Sequence, residues 1–258
     1  MLVCVSPAKA LDFSPLERSV DVQAPRFLAQ SEVLGGVAKK CTRSDFKSLM
    51  KLSDALSDLT YQRFQSFAPR ANDRERKAAM FAFNGDTYRG LDAASMSEEA
   101  VGYAQDHLRI LSGLYGVLRP LDEIEPYRLE MGIRLANPEG KDLYAFWRET
   151  VTASLSAELE NQTHAVLVNC ASVEYFKAVD PKALAGRIVT PVFKEERGGV
   201  AKIVSFHAKR ARGMMARFII DHKVSTAEGI TAFNEDGYIY RPKLSEPDQP
   251  VFTRLVEA

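Results

Sequence analysis

The sequence predicts an α+β fold: a mixed β-sheet body with packed helices and a small helical hairpin inserted at about residues 44–66. Three observations carry this reading. Strand-like and helix-like segments alternate irregularly, which disfavours a doubly wound parallel sheet. Gly198-Gly199 separates two partly alternating stretches, Arg187–Glu195 and Val200–Phe206, a hairpin signal that demands antiparallel neighbours. No internal repeat or low-complexity tract appears, and 258 residues at 46% hydrophobic suffice for one large core or two modest ones. The chain is read as a single domain over 1–258.

The elements follow in order. Met1–Ser6 (MLVCVS) is an apolar, β-prone run that Pro7 ends, and a polar, proline-punctuated loop extends to about Pro25. From Arg26 to Phe67 the pattern turns helical in three short pieces. The first carries Phe27, Leu28, Val33, Leu34 and Val37, with Gly35-Gly36 weakening its middle. Ser44 is placed to cap the second, whose apolar side is Phe46, Leu49 and Met50. Ser53 caps the third, which carries Leu56, Leu59 and Phe64. One or two residues around Leu52-Ser53 join the last two, so the pair forms a hairpin standing off the main body. Ala78–Phe83 (AAMFAF) reads as a buried strand ended by the turn Asn84-Gly85-Asp86. Ser97, with Glu98 and Glu99 after it, starts a helix to about His107, and Leu108–Leu111 is a strand entering a glycine-rich bend. Lys141–Glu160 is a helix with Leu143, Phe146, Trp147, Val151, Leu155 and Leu159 at helical spacing. Ala165–Cys170 (AVLVNC) is an apolar strand, and Ser172 caps a short helix after it. A helix from about Ala208 to Asp221 follows the hairpin, and a turn at Asn234–Gly237 separates two final β segments.

Charge is where the sequence speaks of function. The chain is balanced at formal charge zero, yet Arg197, Lys202, Lys209, Arg210, Arg212 and Arg217 fall in one stretch to Ile220 without an Asp or Glu. Segregated positive potential gathers polyanions, and a solvated helix face has the same composition. Ala208, Ala211, Met214, Met215, Phe218 and Ile219 recur at three- and four-residue spacings, so one side of this helix is core and the charges ride on a docked frame. A rigid array of cations suits a phosphate backbone. The apolar side lacks Trp and Leu and must cover a strand, which argues against a membrane-surface role.

Other classes recede. No run approaches the roughly 20 apolar residues of a membrane span, and Met1–Ser6 lacks the basic flank and cleavage site of a signal peptide. Cys4, Cys41 and Cys170 are odd in number and widely spaced, which suits free thiols in a reducing cytoplasm. His107, His164, His207 and His222 are isolated, so no metal ligand set is read and no cofactor is expected. Ser6 and Lys9 stand at Ser-x-x-Lys spacing without the companion motifs of that chemistry. In His107–Arg134 the glycines Gly113 and Gly116 permit close approach of the backbone to a ligand. There Arg109, Arg119, Arg128 and Arg134 interleave with Tyr115 and Tyr127, a pairing that grips phosphates and bases. Asp122, Glu123, Glu125 and Glu130 match the four arginines one for one, so structural ion pairs account for them equally well.

SPAKALDF (Ser6–Phe13), FNGDTYRGL (Phe83–Leu91), HLRILSGLYGVLRPLDEIEPYRLEMGIRL (His107–Leu135), KDLYAFW (Lys141–Trp147), NCASVEYFKAV (Asn169–Val179) and IVSFHAKRARGMMARFII (Ile203–Ile220) together resemble the YaaA family of peroxide stress resistance proteins. The resemblance spans essentially the whole chain. It implies a cytoplasmic bacterial protein that keeps free intracellular iron low during hydrogen peroxide stress. It also implies DNA binding through a positively charged cleft beside a helix-hairpin-helix-like element on a mixed α/β body. The hairpin at 44–66 lies where that element is expected, although Leu52-Ser53-Asp54-Ala55 has no glycine and Asp54 would repel a phosphate.

The reading is therefore a monomeric, non-enzymatic binder of double-stranded or structured DNA. Lys9, Lys202, Lys209, Arg210, Arg212 and Arg217 are expected on phosphates, with Ser53 at the hairpin. The alternative is an enzyme acting on a nucleotide or nucleobase, with Lys9, Asn84, Asp86, Arg109, Tyr115, Arg119, Tyr127 and Arg128 converging at one sheet edge.

Overall fold

The computed structural model describes residues 1–256. β1 (Leu2–Val5) and the short β2 (Ala10–Leu11) precede three helices, α1 (Leu28–Lys39), α2 (Arg43–Met50) and α3 (Asp54–Ser66). β3 (Lys77–Ala78), α4 (Ala79–Ala82), β4 (Phe83–Asn84) and α5 (Asp86–Leu91) follow in close succession. α6 (Glu98–His107) runs directly into β5 (Leu108–Ser112), which turns back through β6 (Gly116–Leu118) to β7 (Glu123–Ile124). Then come α7 (Leu143–Glu160), β8 (Val166–Cys170), α8 (Val173–Phe176), β9 (Arg187–Val189), β10 (Val192–Arg197) and β11 (Val200–Lys202). α9 (Ser205–Asp221), β12 (Ile239–Tyr240) and β13 (Val251–Leu255) close the chain.

The fold is α+β, with mixed sheets and helices packed around them. The main sheet has the order β6-β5-β1-β8-β9; β1 is parallel to β5 and β8, β8 is parallel to β9, and only β6 is antiparallel. Val3 lies beside Leu108 on one side and Val168 on the other, and β1, β5 and β8 are buried along their whole length. That burial explains the unbroken apolar runs MLVCV and AVLVNC, since strands covered on both faces need no polar alternation. The centre of the molecule is thus more parallel than the irregular order of elements suggested. A second sheet, β11-β10-β13-β12, is mixed, with β10 and β13 parallel.

α7 forms as its spacing predicts. Asp142 caps it by accepting from the Ala145 amide at 2.9 Å, and Leu143, Phe146, Trp147, Val151, Leu155 and Leu159 are its buried side. Trp147 donates from Nε1 to the Gly113 carbonyl at 2.9 Å, and a Cβ on Gly116 (φ +71°) would lie 2.6 Å from its ring. The close approach that Gly116 permits is therefore to the indole of α7, whereas Gly113 makes room for the Leu129 carbonyl oxygen, 2.2 Å from its would-be Cβ.

Several boundaries differ from the sequence reading. Ala78–Phe83 is buried but contains a single helical turn, because an all-apolar run has no period by which to tell strand from helix. Arg187–Glu195 divides at Thr190-Pro191 into β9 of the main sheet and β10 of the second, where proline has no amide to continue a ladder. β11 ends at Lys202, so Phe206 and His207 belong to the first turn of α9. The final turn joins a 3-10 helix, Glu228–Ala232, to β12 and does not separate two strands.

In the helical segment the cap of α2 is Thr42, not Ser44. Thr42 Oγ1 accepts from the Asp45 amide at 3.2 Å and the Asp45 carboxylate accepts from the Thr42 amide at 2.8 Å, a reciprocal capping box. Ser53 caps α3 as expected. The segment does not stand off the body: Leu34, Ala38, Phe46, Phe64 and Phe67 belong to the same core cluster as the sheet. Gly35 makes that junction, since a Cβ there would lie 2.5 Å from the Phe67 ring.

Candidate functional site

β1 and β8 are parallel neighbours, and the chain leaves them toward opposite edges of the sheet, β1 toward β5 and β8 toward β9. Such a divergence leaves a crevice beyond the carboxyl ends of the strands, the usual ligand position in open α/β sheets. Here that crevice measures about 440 Å³. Its base is tied across 166 residues: the Ser172 amide donates to Ser6 Oγ at 2.8 Å, and Ser6 Oγ lies 3.3 Å from Ser172 Oγ. The Tyr88 hydroxyl donates to the Ser6 carbonyl at 3.1 Å. Tyr88 and Tyr175 are buried against the crevice, and burial holds both phenols well above their ordinary range, hence neutral.

The lining carries both charges. α9 supplies Lys209 and Arg212. Asp86, in the first turn of α5, and Glu174, in α8, line the same crevice. Asp86 lies 3.7 Å from Arg89, and Glu174 accepts the Gly132 amide at 3.0 Å. α5 and α9 cross in near-contact at Gly90 and Gly213; a Cβ on Gly90 would lie 2.1 Å from the Arg210 carbonyl oxygen. Cys170 lies in the crevice at the end of β8, where burial pushes its thiol up to about 12 although Arg212 opposes the shift.

The predicted cations separate into two kinds. Lys202, Lys209 and Arg210 are exposed, Arg212 is half-buried, and the described residues hold no ion-pair partner for any of the four. Arg217 is spoken for: it pairs with Asp221 at 2.6 Å and donates to the Asp92 carbonyl at 2.8 Å and Ser95 Oγ at 2.9 Å, stapling α9 to the end of α5. Lys9 is exposed, with its ammonium 3.4 Å from Glu130. Ser53 accepts the Leu56 amide at 3.4 Å as a helix cap. The Ser-x-x-Lys spacing forms no dyad, because Ser6 engages Ser172 and Lys9 engages Glu130.

Of the residues expected to converge in a nucleotide pocket, Lys9, Asn84 and Asp86 line the crevice and five do not. Arg109 is buried and held by Glu158 and by the carbonyls of Gln105 and Leu108 at 2.9 and 2.6 Å. Arg119 pairs with Asp122 at 2.7 Å and donates to the Ala24 carbonyl. Tyr115 lies away from the crevice; its hydroxyl accepts the Glu125 amide at 3.1 Å, and Tyr127 bonds Ser112 at 2.6 Å. Arg128 shares Glu130 with Lys9, one carboxylate removed from the crevice. The structural-pair reading of His107–Arg134 therefore holds for Arg109, Arg119 and Arg128. Glu174, Tyr175 and Ser172 complete the site without having been singled out as site residues, and only the β1–β8 pairing reveals them. Among the described residues no group of three or more His, Cys, Asp or Glu is arranged to hold a metal ion, and no helix is long and apolar enough to cross a membrane.

The family model described as peroxide stress protein YaaA matches residues 1–244. The chain is 51% identical over 256 residues to a UPF0246 protein of Roseobacter denitrificans, covering 98% of each chain. It is 50% identical over 258 residues to a UPF0246 protein of Alteromonas mediterranea, covering all of both. A UPF0246 protein of Shewanella woodyi is 49% identical over 254 residues, covering 98% of this chain and 99% of that one.

Proposed function

The chain belongs to the peroxide stress protein YaaA family, and we propose that it serves the peroxide stress response in the cytoplasm as a DNA-binding protein that helps limit free iron. The observation that carries the DNA part is the state of the α9 cations. Lys209, Arg210 and Arg212 project from a helix whose other side is locked in the core, and they and Lys202 lack ion-pair partners among the described residues. Unpaired cations on a rigid frame neutralise phosphates without first breaking a salt bridge. Arg217 is left out of the contact set, since its guanidinium already holds α5. In this reading the α2–α3 pair plays the lesser part: its turn, Lys51 to Ser53, contains no glycine, and Lys47 pairs with Asp54 at 2.5 Å. Binding is sequence-independent, because the contacts proposed are to phosphates.

Fluorescence anisotropy with a short duplex across a salt series tests it. Affinity is expected to fall steeply with salt. The Lys209→Ala/Arg210→Ala/Arg212→Ala variant is expected to bind several-fold more weakly, with a log–log slope flatter by about 0.9 for each phosphate it no longer neutralises. Because these side chains are outside the core, its melting temperature should stay near wild type. Salt-independent binding, or a triple variant that binds like wild type, overturns the reading. For the iron part, chelatable iron after peroxide is measured in cells lacking the protein and complemented with either version. If DNA contact is the route, the triple variant fails to restore low iron.

A further inference from the structure

We propose that the crevice at the carboxyl ends of β1 and β8 is a small-molecule site that takes a nucleoside monophosphate carrying an amino-substituted base, sharing Lys209 and Arg212 with the duplex contact. It stands on the crevice alone and does not require duplex binding. Its about 440 Å³ falls within the roughly 300–1,000 Å³ of small-molecule sites. The lining charges set the ligand chemistry. Lys209 and Arg212 suit a phosphate, which Arg grips through paired N–H groups. Asp86 and Glu174 line the same crevice, and a carboxylate accepts from exocyclic amines such as cytosine N4. A ligand that uses both sets of groups carries an anion and amine donors, and Tyr88 and Tyr175 in the lining offer ring surface for its flat body.

The rule for the strand ends gives the same place independently of charge, because the crevice opens where the connections of two neighbouring parallel strands diverge. The site is built to keep its shape: Ser6 and Ser172 lock the strand ends, and the Gly90–Gly213 crossing fixes Asp86 relative to Arg212.

Isothermal titration calorimetry of the full chain with AMP, GMP, CMP, UMP, adenosine and orthophosphate tests the proposal. Saturable binding is expected for AMP, GMP or CMP, with adenosine and orthophosphate each at least about tenfold weaker. Arg212→Ala is expected to weaken the monophosphates by about tenfold or more, as removal of a charge-assisted hydrogen bond does. Asp86→Asn is expected to erase the preference over UMP. No saturable binding by any of the four monophosphates, binding unchanged in both variants, or orthophosphate as tight as AMP each overturns it. Near-UV circular dichroism checks the fold, and Lys209→Gln replaces Arg212→Ala if that chain does not fold. Arg210→Ala, which lies outside the crevice, separates the two readings: it should weaken the duplex and leave the monophosphate untouched. Monophosphate binding without duplex binding supports this proposal and removes the DNA one.

Discussion

Gly213 of α9 rests against the main-chain carbonyl of Thr87 at the start of α5, so closely that a Cβ at Gly213 would lie 1.8 Å from that oxygen and 2.8 Å from the Leu91 nitrogen. Both obstacles are backbone atoms and cannot rotate away. Gly213→Ala is therefore expected to cost about 3 kcal/mol, the upper range for overpacking, read as a lower urea midpoint. Gly36 is the internal control. It sits in α1 with nothing within 4 Å of its would-be Cβ. Gly36→Ala should raise stability by up to about 1 kcal/mol through helix propensity. Equal effects of the two substitutions would refute the close crossing.

Peroxide chemistry at a thiol is not built into this fold. Burial pushes the thiols of Cys4 and Cys170 up, the latter to about 12, and Cys41 is raised by partial burial with Asp45 adding to it. The thiolate is the form that attacks peroxide, so all three are poor sensors. Mass spectrometry after brief peroxide treatment of the native protein should find Cys4 and Cys170 unmodified, and both should label once the chain is unfolded in urea. A sulfenic acid at Cys170 in the folded protein would contradict this.

Glu158 links the main sheet to α7 and gives stability an acid limb. Its carboxylate is pulled up by burial, but hydrogen bonds from Arg109 (Nε, 2.9 Å) and Arg26 (Nη1, 2.8 Å) outweigh this and hold it below the ordinary glutamate value. A depressed folded value means stability is fully present above the unfolded value, about 4.3, and is lost as pH falls through the folded one. Glu158→Gln leaves the buried Arg109 charge unmatched and should cost about 3 kcal/mol at pH 7. The gap to wild type should shrink as denaturation is repeated from pH 4.5 down to 3. A constant gap would mean that the pair contributes no ionic term.

Much of the fold was legible where one element is specified by its own residues. The α7 pattern around Phe146, Trp147 and Val151 and the Ser53, Ser97 and Ser172 caps are local signals, and each appears as read. AAMFAF misled because a buried run in either conformation has the same composition. The site was half legible. Lys9, Asn84, Asp86, Lys209 and Arg212 stand out by type, but what brings them together is the β2–β4 pairing, which sets Ala10 opposite Asn84, and the crossing of α5 and α9 at Gly90 and Gly213, long-range contacts that no one segment encodes alone. The four acids matched to the arginines of His107–Arg134 were the right warning, yet Arg109 finds its partner in Glu158, far outside that window. Gly90 and Gly213 carry a readable signal of their own: glycine inside a helix persists where another backbone needs the space.

The gathering of cations on one docked helix has a consequence for motion as well as for contact. With six basic residues and no acid between Arg197 and Ile220, the remainder of a neutral chain holds six more acidic than basic residues. The molecule is therefore a permanent electric dipole with no net charge. In the field of a polyanion it feels little pull at long range but a torque that turns α9 forward, so collisions arrive already oriented. That alignment fades once the Debye length, about 10 Å at 0.1 M salt, falls below the size of the protein.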